Sequence, residues 1–260
     1  MPHAQISDDV SLFYTEHGKG GPPILLVHGW ACDSGDWMWQ IPDLAERHKV
    51  YVVDLRGHGH SSVTKDCYRG TDYAQDLSRL IEVLGCGPAI VIGHSLGGYI
   101  GVHLAVEHPE HVLALVCVDP AYAPSMAAPD PSELISALRS ESCHGLMEQL
   151  FTSFADASTP AFLTTWHLRR LLTVPRHVIS ESIAGMTTNN VVNVDQAMLR
   201  LRSCPTLTFF RSADDSAWED AAAGTGPGMT MTWDGAGHWL HQERPIEFNA
   251  IVTKWIDEIC

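Results

Sequence analysis

The stretch V-I-G-H-S-L-G-G-Y-I, residues 91 to 100, decides how the chain is read. An apolar run stops at Gly93, a serine follows a histidine, two glycines come next, and a second apolar run begins. Gly93-His94-Ser95-Leu96-Gly97 fits G-x-S-x-G, set after an expected strand and before an expected helix. In that setting a sharp turn lifts the serine hydroxyl above a sheet, at a helix N-terminus whose amides favour incoming negative charge. The plain alternative is an ordinary Gly-Ser turn.

The flanking sequence supplies the sheet. Ile24 to Val27, Val50 to Leu55, Ala89 to Ile92 and Val112 to Val118 are short apolar, β-branched runs, broken by a charge at Asp54 alone. Between them, Asp72 to Leu84 places Tyr73, Leu77, Leu80, Ile81 and Leu84 on one helical face, and Leu96 to Glu107 runs to the helix-stopping His108-Pro109. Fully apolar strands alternating with helices imply an α/β fold, a mostly parallel, doubly wound sheet covered on both faces. From residue 121 to about 202 the alternation lapses. Helical segments (Ser132 to Leu138, Leu146 to Phe154, Ala161 to Leu172, His177 to Met186) are punctuated by Pro129, Pro131, Pro160 and Pro175. Strands resume at Thr206 to Phe210 and Met229 to Trp233, and a helix closes the chain from about Pro245 to Ile259. The expected organisation is a core of residues 1–120 and 203–260, with an all-helical cap over 121–202, too long for an ordinary loop.

Composition narrows the function. The 260 residues are 45% apolar and carry a formal charge of −15, with no basic cluster to attract nucleic acid or anionic lipid. Seven scattered cysteines form no C-x-x-C pair, so neither a disulfide frame nor a zinc site is expected. The N-terminus lacks the basic and apolar regions of a secretory signal, and no apolar run is long enough to span a bilayer. A soluble, cytoplasmic protein, monomer or homodimer, with no metal and no cofactor, is the expectation.

A serine needs a base. Of fifteen histidines, His238 in Gly235-Ala236-Gly237-His238-Trp239 follows the last expected strand on a loop small enough to return over the sheet edge. It also respects the chain order Ser…Asp/Glu…His; His241 is its competitor. His48, His103, His108 and His111 read as surface or structural residues. Two positions could hold the carboxylate that orients the base. Asp119 closes the fourth strand; Asp214, beside Asp215, follows the strand Thr206 to Phe210. The later position is the commoner one, but Arg211-Ser212-Ala213-Asp214 lacks the glycine and proline that usually shape that loop, and the run to His238 is short. Asp119 is preferred and Asp214 stays open. For the oxyanion, the amides of Leu96 and Trp30 are the candidates, the second in His28-Gly29-Trp30-Ala31, where His28 reads as structural.

With these residues assembled, the chain resembles the α/β-hydrolase fold superfamily over nearly its whole length. The likeness is carried by L-L-V-H-G-W, D-L-R-G-H-G-H-S (54 to 61), G-H-S-L-G-G, V-D-P (118 to 120) and G-A-G-H-W-L-H-Q-E-R-P (235 to 245), in family order. The resemblance implies Ser95 as nucleophile, His238 as base and a cap formed by the insertion. Dehalogenases and epoxide hydrolases would need aspartate at position 95. The H-G-W loop and an acid straight after Val118 resemble two branches: lactonases that open resorcylic lactones, and cofactor-free dioxygenases that cleave 3-hydroxy-4-quinolone rings. The dioxygenases carry a second histidine after the serine, where this chain has Leu96. Phe151, Phe154, Trp166 and Met186 in the cap, with Trp30, are the expected substrate contacts, though most apolar cap residues should simply be core. They favour a small apolar or aromatic ester or lactone over a sugar or phosphate.

Overall fold

The computed structural model describes residues 2–128, 130–187, 193–222 and 226–260; Pro129 lies outside them. Eight strands form the sheet: β1 (His3–Gln5), β2 (Ser11–His17), β3 (Ile24–Val27), β4 (Val50–Val53), β5 (Ala89–His94), β6 (Val112–Val118), β7 (Thr206–Phe210) and β8 (Gly228–Thr232). Their spatial order is β1-β2-β4-β3-β5-β6-β7-β8. The run from β4 to β8 is parallel, whereas β1 and β2 form an antiparallel flank, β2 pairing Tyr14 with Val53. That flank is not apparent from the sequence.

Alternate residues of each central strand serve different cores, which is why these strands are apolar without interruption. Leu25, Val27, Val91 and Leu115 face the layer of α2 (Gly70–Leu84) and α3 (Leu96–Glu107). Ile24, Leu26, Ile90, Ile92 and Phe209 face α1 (Ile41–Ala45) and α11 (Pro245–Ile259), through Leu44, Phe248, Val252 and Ile256.

Between β6 and β7 lie α4 (Pro131–Arg139), α5 (Cys143–Ser153), α6 (Ala161–Arg170), α7 (Arg176–Thr187) and α8 (Gln196–Leu199). Met147, Phe151, Ile183 and Met186 of this segment share one buried cluster with Leu25 and Val91, so these helices and the sheet enclose common apolar space. Two further helices, α9 (Ala213–Asp220) and α10 (Leu240–Glu243), precede and follow β8 along the chain. No helix among the described residues is long and apolar enough to cross a membrane.

Candidate active site

Ser95 sits at the bend between β5 and α3 with φ 52° and ψ −111°, in the left-handed half of conformational space that a side chain rarely adopts. Hydrogen bonds hold the bend: the Ser95 amide donates to Val118 O at 2.9 Å, and Ser95 O accepts from the Ala121 amide at 3.0 Å. The neighbouring glycines are required by space. A Cβ on Gly93 would stand 2.2 Å from Gly97 O, and one on Gly97 would stand 2.3 Å from Val27 O, both backbone atoms that cannot swing aside. The local sequence therefore permits close packing of strand, turn and helix, and leaves the Ser95 side chain on the wall of a cavity of about 940 Å³.

His238 lines the same cavity. Its amide donates to Phe154 O at 2.9 Å, while its carbonyl accepts from His94 Nε2 at 3.0 Å. Its Nδ1 lies 2.5 Å from Asp119 Oδ2, and both side chains are almost fully buried. Asp119 is also strained, with φ 40°, at the point where the chain leaves β6. Among the described residues no hydrogen bond joins the Ser95 hydroxyl to His238, whose imidazole is bonded through Nδ1 to Asp119. Of the two candidate carboxylates, the structure brings Asp119 to the imidazole. Asp214 is solvent-exposed in the first turn of α9, where its charge suits the helix N-terminus.

The loop after β3 is pinned by two histidines. His28 Nε2 accepts from the Leu55 amide at 3.0 Å and His58 Nε2 accepts from the Ala31 amide at 3.2 Å. Burial pushes His58 down to about 3, which keeps it an acceptor. Trp30 is anchored by its indole N–H, which donates to Ile179 O in α7 at 3.2 Å. Leu96 opens α3, so its amide is one of the N–H groups without an intrahelical acceptor.

Of the expected contacts, Trp30, Phe151, Phe154 and Met186 line the cavity. Trp166 does not, and the expectation is corrected. In α6 the buried face is Leu163, His167 and Arg170, which turns Trp166 outward, 38% exposed, with the Arg170 guanidinium 5.7 Å from its ring centre. Arg170 is held inside by the buried Asp36 carboxylate, by Asp33 Oδ1 at 3.2 Å and by His167 Nδ1 at 2.7 Å. Burial alone would raise Asp36; the Arg170 charge overcomes it and brings the carboxyl down to about 2. His167 in turn stacks on Trp239 at 3.7 Å, behind His238. His103, read as a surface or structural residue, is fully buried and meets Glu107 at 2.7 Å.

Two neighbours of the site escaped the sequence reading. His94 was visible beside the serine but had no role there. Arg211 lines the cavity, its Nε 2.6 Å from Asp119 Oδ2; nothing local to Arg211 announces a partner 92 residues away.

A family profile described as the alpha/beta hydrolase fold matches residues 22–195. A protein of Azorhizobium caulinodans named as a carbamate hydrolase is 40% identical over 119 residues, 46% of this chain and 44% of that protein. A pimeloyl-[acyl-carrier protein] methyl ester esterase of Vibrio atlanticus is 34% identical over 147 residues, 55% of this chain and 53% of its own length. The chain thus spans about half the length of these curated relatives. An esterase from Thermogutta terrifontis, 24% identical, superposes with a TM-score of 0.83 over 96% of this chain and 94% of that one, a likeness of fold. The profile covers well over half of the chain, and the strand order and the bend at Ser95 agree with it: the protein belongs to the α/β-hydrolase fold family.

Proposed function

We propose that the protein is a serine hydrolase that cleaves a carboxylic ester or lactone of a small apolar or aromatic molecule. One observation carries the reading. A strained serine at a strand-to-helix bend and an imidazole coupled at 2.5 Å to a buried carboxylate line one cavity. In this mechanism Ser95 Oγ attacks the carbonyl carbon as His238 Nε2 takes its proton. The amides of Trp30 and Leu96 receive the oxyanion. The imidazolium returns the proton to the departing alkoxide, leaving an acyl-serine. Water, deprotonated by His238, then releases the acid and restores the serine. Asp119 keeps Nδ1 protonated and stabilises the imidazolium.

The cavity supports the substrate class: Trp30, Phe151, Phe154, Met186 and Trp239 contribute large apolar surface to its wall. The reactions for which the two relatives are named, hydrolysis of a carbamate and of a methyl ester, also take place at a carbonyl.

The test is intact-mass measurement after exposure to a fluorophosphonate, together with hydrolysis of p-nitrophenyl acetate. The wild type should gain one adduct and turn over ester; Ser95→Ala should do neither. A wild type that remains unlabelled and inert would overturn the proposal. Oxygen uptake with a hydroxyquinolone that survives Ser95→Ala and is lost in His238→Ala would replace it with the oxygenase chemistry.

A further inference from the structure

The carboxylate that meets His238 is shared. β7 ends at Phe210, and the next residue, Arg211, points its guanidinium at the end of β6. Its Nε stands 2.6 Å from Asp119 Oδ2, the oxygen that also stands 2.5 Å from His238 Nδ1. The other edge of the guanidinium reaches the Met126 sulfur at 3.4 Å. This is not a loose surface pair, because the Asp119 side chain is 1% exposed and that of Arg211 27%. Sheet register fixes it: Val118 pairs with Phe209, and the Asp119 amide donates to Phe209 O at 2.8 Å. Adjacent parallel strands thus end in the acid and in its counter-ion, side by side.

We propose that Arg211 is a positioning residue that acts through Asp119 on His238, restraining the basicity of the imidazole and so setting the low-pH limit of turnover. The inference rests on the roles given above to Ser95, His238 and Asp119. Its physical basis is a competition for one oxygen. The carboxylate stabilises an imidazolium beside it, whereas a guanidinium one atom further on, charged at every pH of interest, opposes that second positive charge. The imidazolium is held less tightly than by a lone carboxylate. It therefore forms only at lower pH, and it gives its proton more readily to a leaving alkoxide.

The other groups facing His238 do not supply this effect. From the end of β5, His94 approaches with ring centres 4.5 Å apart. His167 comes from α6, and His241 and Glu243 from α10. Burial holds His94 well below its ordinary range, His241 at about 3 and His167 at about 4, so all three are neutral across the working range. Glu243 accepts from the Gly237 amide at 2.8 Å, and Asp36 and Arg170 balance one another further back. Phe154 and Trp239 present rings, and Ser95 a hydroxyl. Among the described residues, Arg211 is the cation bound directly to the carboxylate that His238 meets.

The test uses Arg211→Gln and Arg211→Lys alongside the wild type. The measurements are the pH dependence of the fluorophosphonate labelling rate, and of kcat/KM for p-nitrophenyl acetate and for ethyl acetate. In Arg211→Gln the acid limb should move up by about one pH unit, and Arg211→Lys should restore most of the wild-type position. Ethyl acetate, whose alkoxide needs a proton, should lose more activity in Arg211→Gln than p-nitrophenyl acetate, whose leaving group does not. A limb that stays in place while both variants lose activity equally would refute the proposal and leave Arg211 as a structural tie. A wild type that is not labelled would remove the catalytic reading and this inference with it; normal labelling with an unmoved limb removes the inference alone.

Discussion

Lowering the pH from 8 to 5 should strip this protein of much of its stability, because it buries imidazoles in their neutral form. His58, His167 and His241 are at most 1% exposed. Burial pushes His58 and His241 down to about 3 and His167 to about 4. In the unfolded chain each titrates near about 6.5. Between those limits the unfolded state binds protons that the folded state refuses. Stability is therefore fully present above about pH 6.5, and it falls as the pH drops towards 4. At pH 5 each group costs about 2 kcal/mol relative to pH 8, and the three together about 6 kcal/mol, comparable with the whole stability of an ordinary domain. His94, displaced in the same direction by burial, adds to the loss. Asp36, drawn down to about 2 against burial by Arg170, matters only at lower pH, below the ordinary carboxylate range. Urea unfolding followed by tryptophan fluorescence at pH 8, 6.5, 5.5 and 5, at one ionic strength, reads the effect as a midpoint that drops steeply below 6.5. His241→Phe isolates one contributor. The ring already lies 4.5 Å from Trp37 and 5.9 Å from Phe248, and neither nitrogen has a hydrogen-bond partner among the described residues. That variant should lose about a third of the pH dependence. Equal midpoints at pH 8 and pH 5 would refute the argument.

Two substitutions test the acid and the loop that carries the base. Asp119→Asn should lower kcat by about 10⁴-fold, because an amide no longer holds the imidazole in the right tautomer, while Asp214→Asn, exposed on α9, should leave turnover within about twofold; the opposite ranking in steady-state assays would move the acid to α9. Glu243 accepts from the Gly237 amide and from the Thr159 hydroxyl, each at 2.8 Å. Glu243→Gln keeps one acceptor and should cost about 1 kcal/mol in urea unfolding, with kcat falling and KM little changed. Unchanged kcat would mean that this tie serves folding alone.

How much of this could be read from the sequence depended on whether a signal was local. β3, β6 and β5 as far as Ile92 are apolar because, Leu113 apart, their residues are buried on both faces, and G-H-S-L-G declares its bend through glycines that a Cβ would break. β2, S-L-F-Y-T-E-H, hides because an antiparallel flank keeps polar residues on its open face. Trp166 misled because α6 inverts the usual rule: it buries His167 and Arg170, satisfied by Gln242 and by Asp36, and turns Phe162 and Trp166 outward. Asp119 and Asp214 both follow strands at the same sheet edge. The missing glycine and proline around Asp214 and the short run to His238 favour Asp119, but they do not fix which carboxylate the returning His238 loop will meet. That depends on where the loop is tied after β8, a long-range property.

The ties of that loop explain why the site needs both the sheet and the helices over it. From the sheet side, His94 at the end of β5 donates to His238 O at 3.0 Å. From the helical segment, Phe154 O accepts the His238 amide at 2.9 Å, and the Ser158 hydroxyl donates to Gly235 O at 2.8 Å. The loop itself is glycine-rich, with Gly235 at φ 67°, and has little rigidity of its own. Ser95 and Asp119, by contrast, are strained residues on adjacent strand ends, each held by backbone bonds across the sheet. Such strain persists only where the surroundings over-determine it. Ser95 and Asp119 are thus placed by the sheet and the residues at its strand ends, while the imidazole is placed by sheet and helices jointly. A shift of residues 154–159 would move His238 relative to Ser95 and Asp119, so in the proposed mechanism the helical segment that shapes the cavity also governs whether the three residues align.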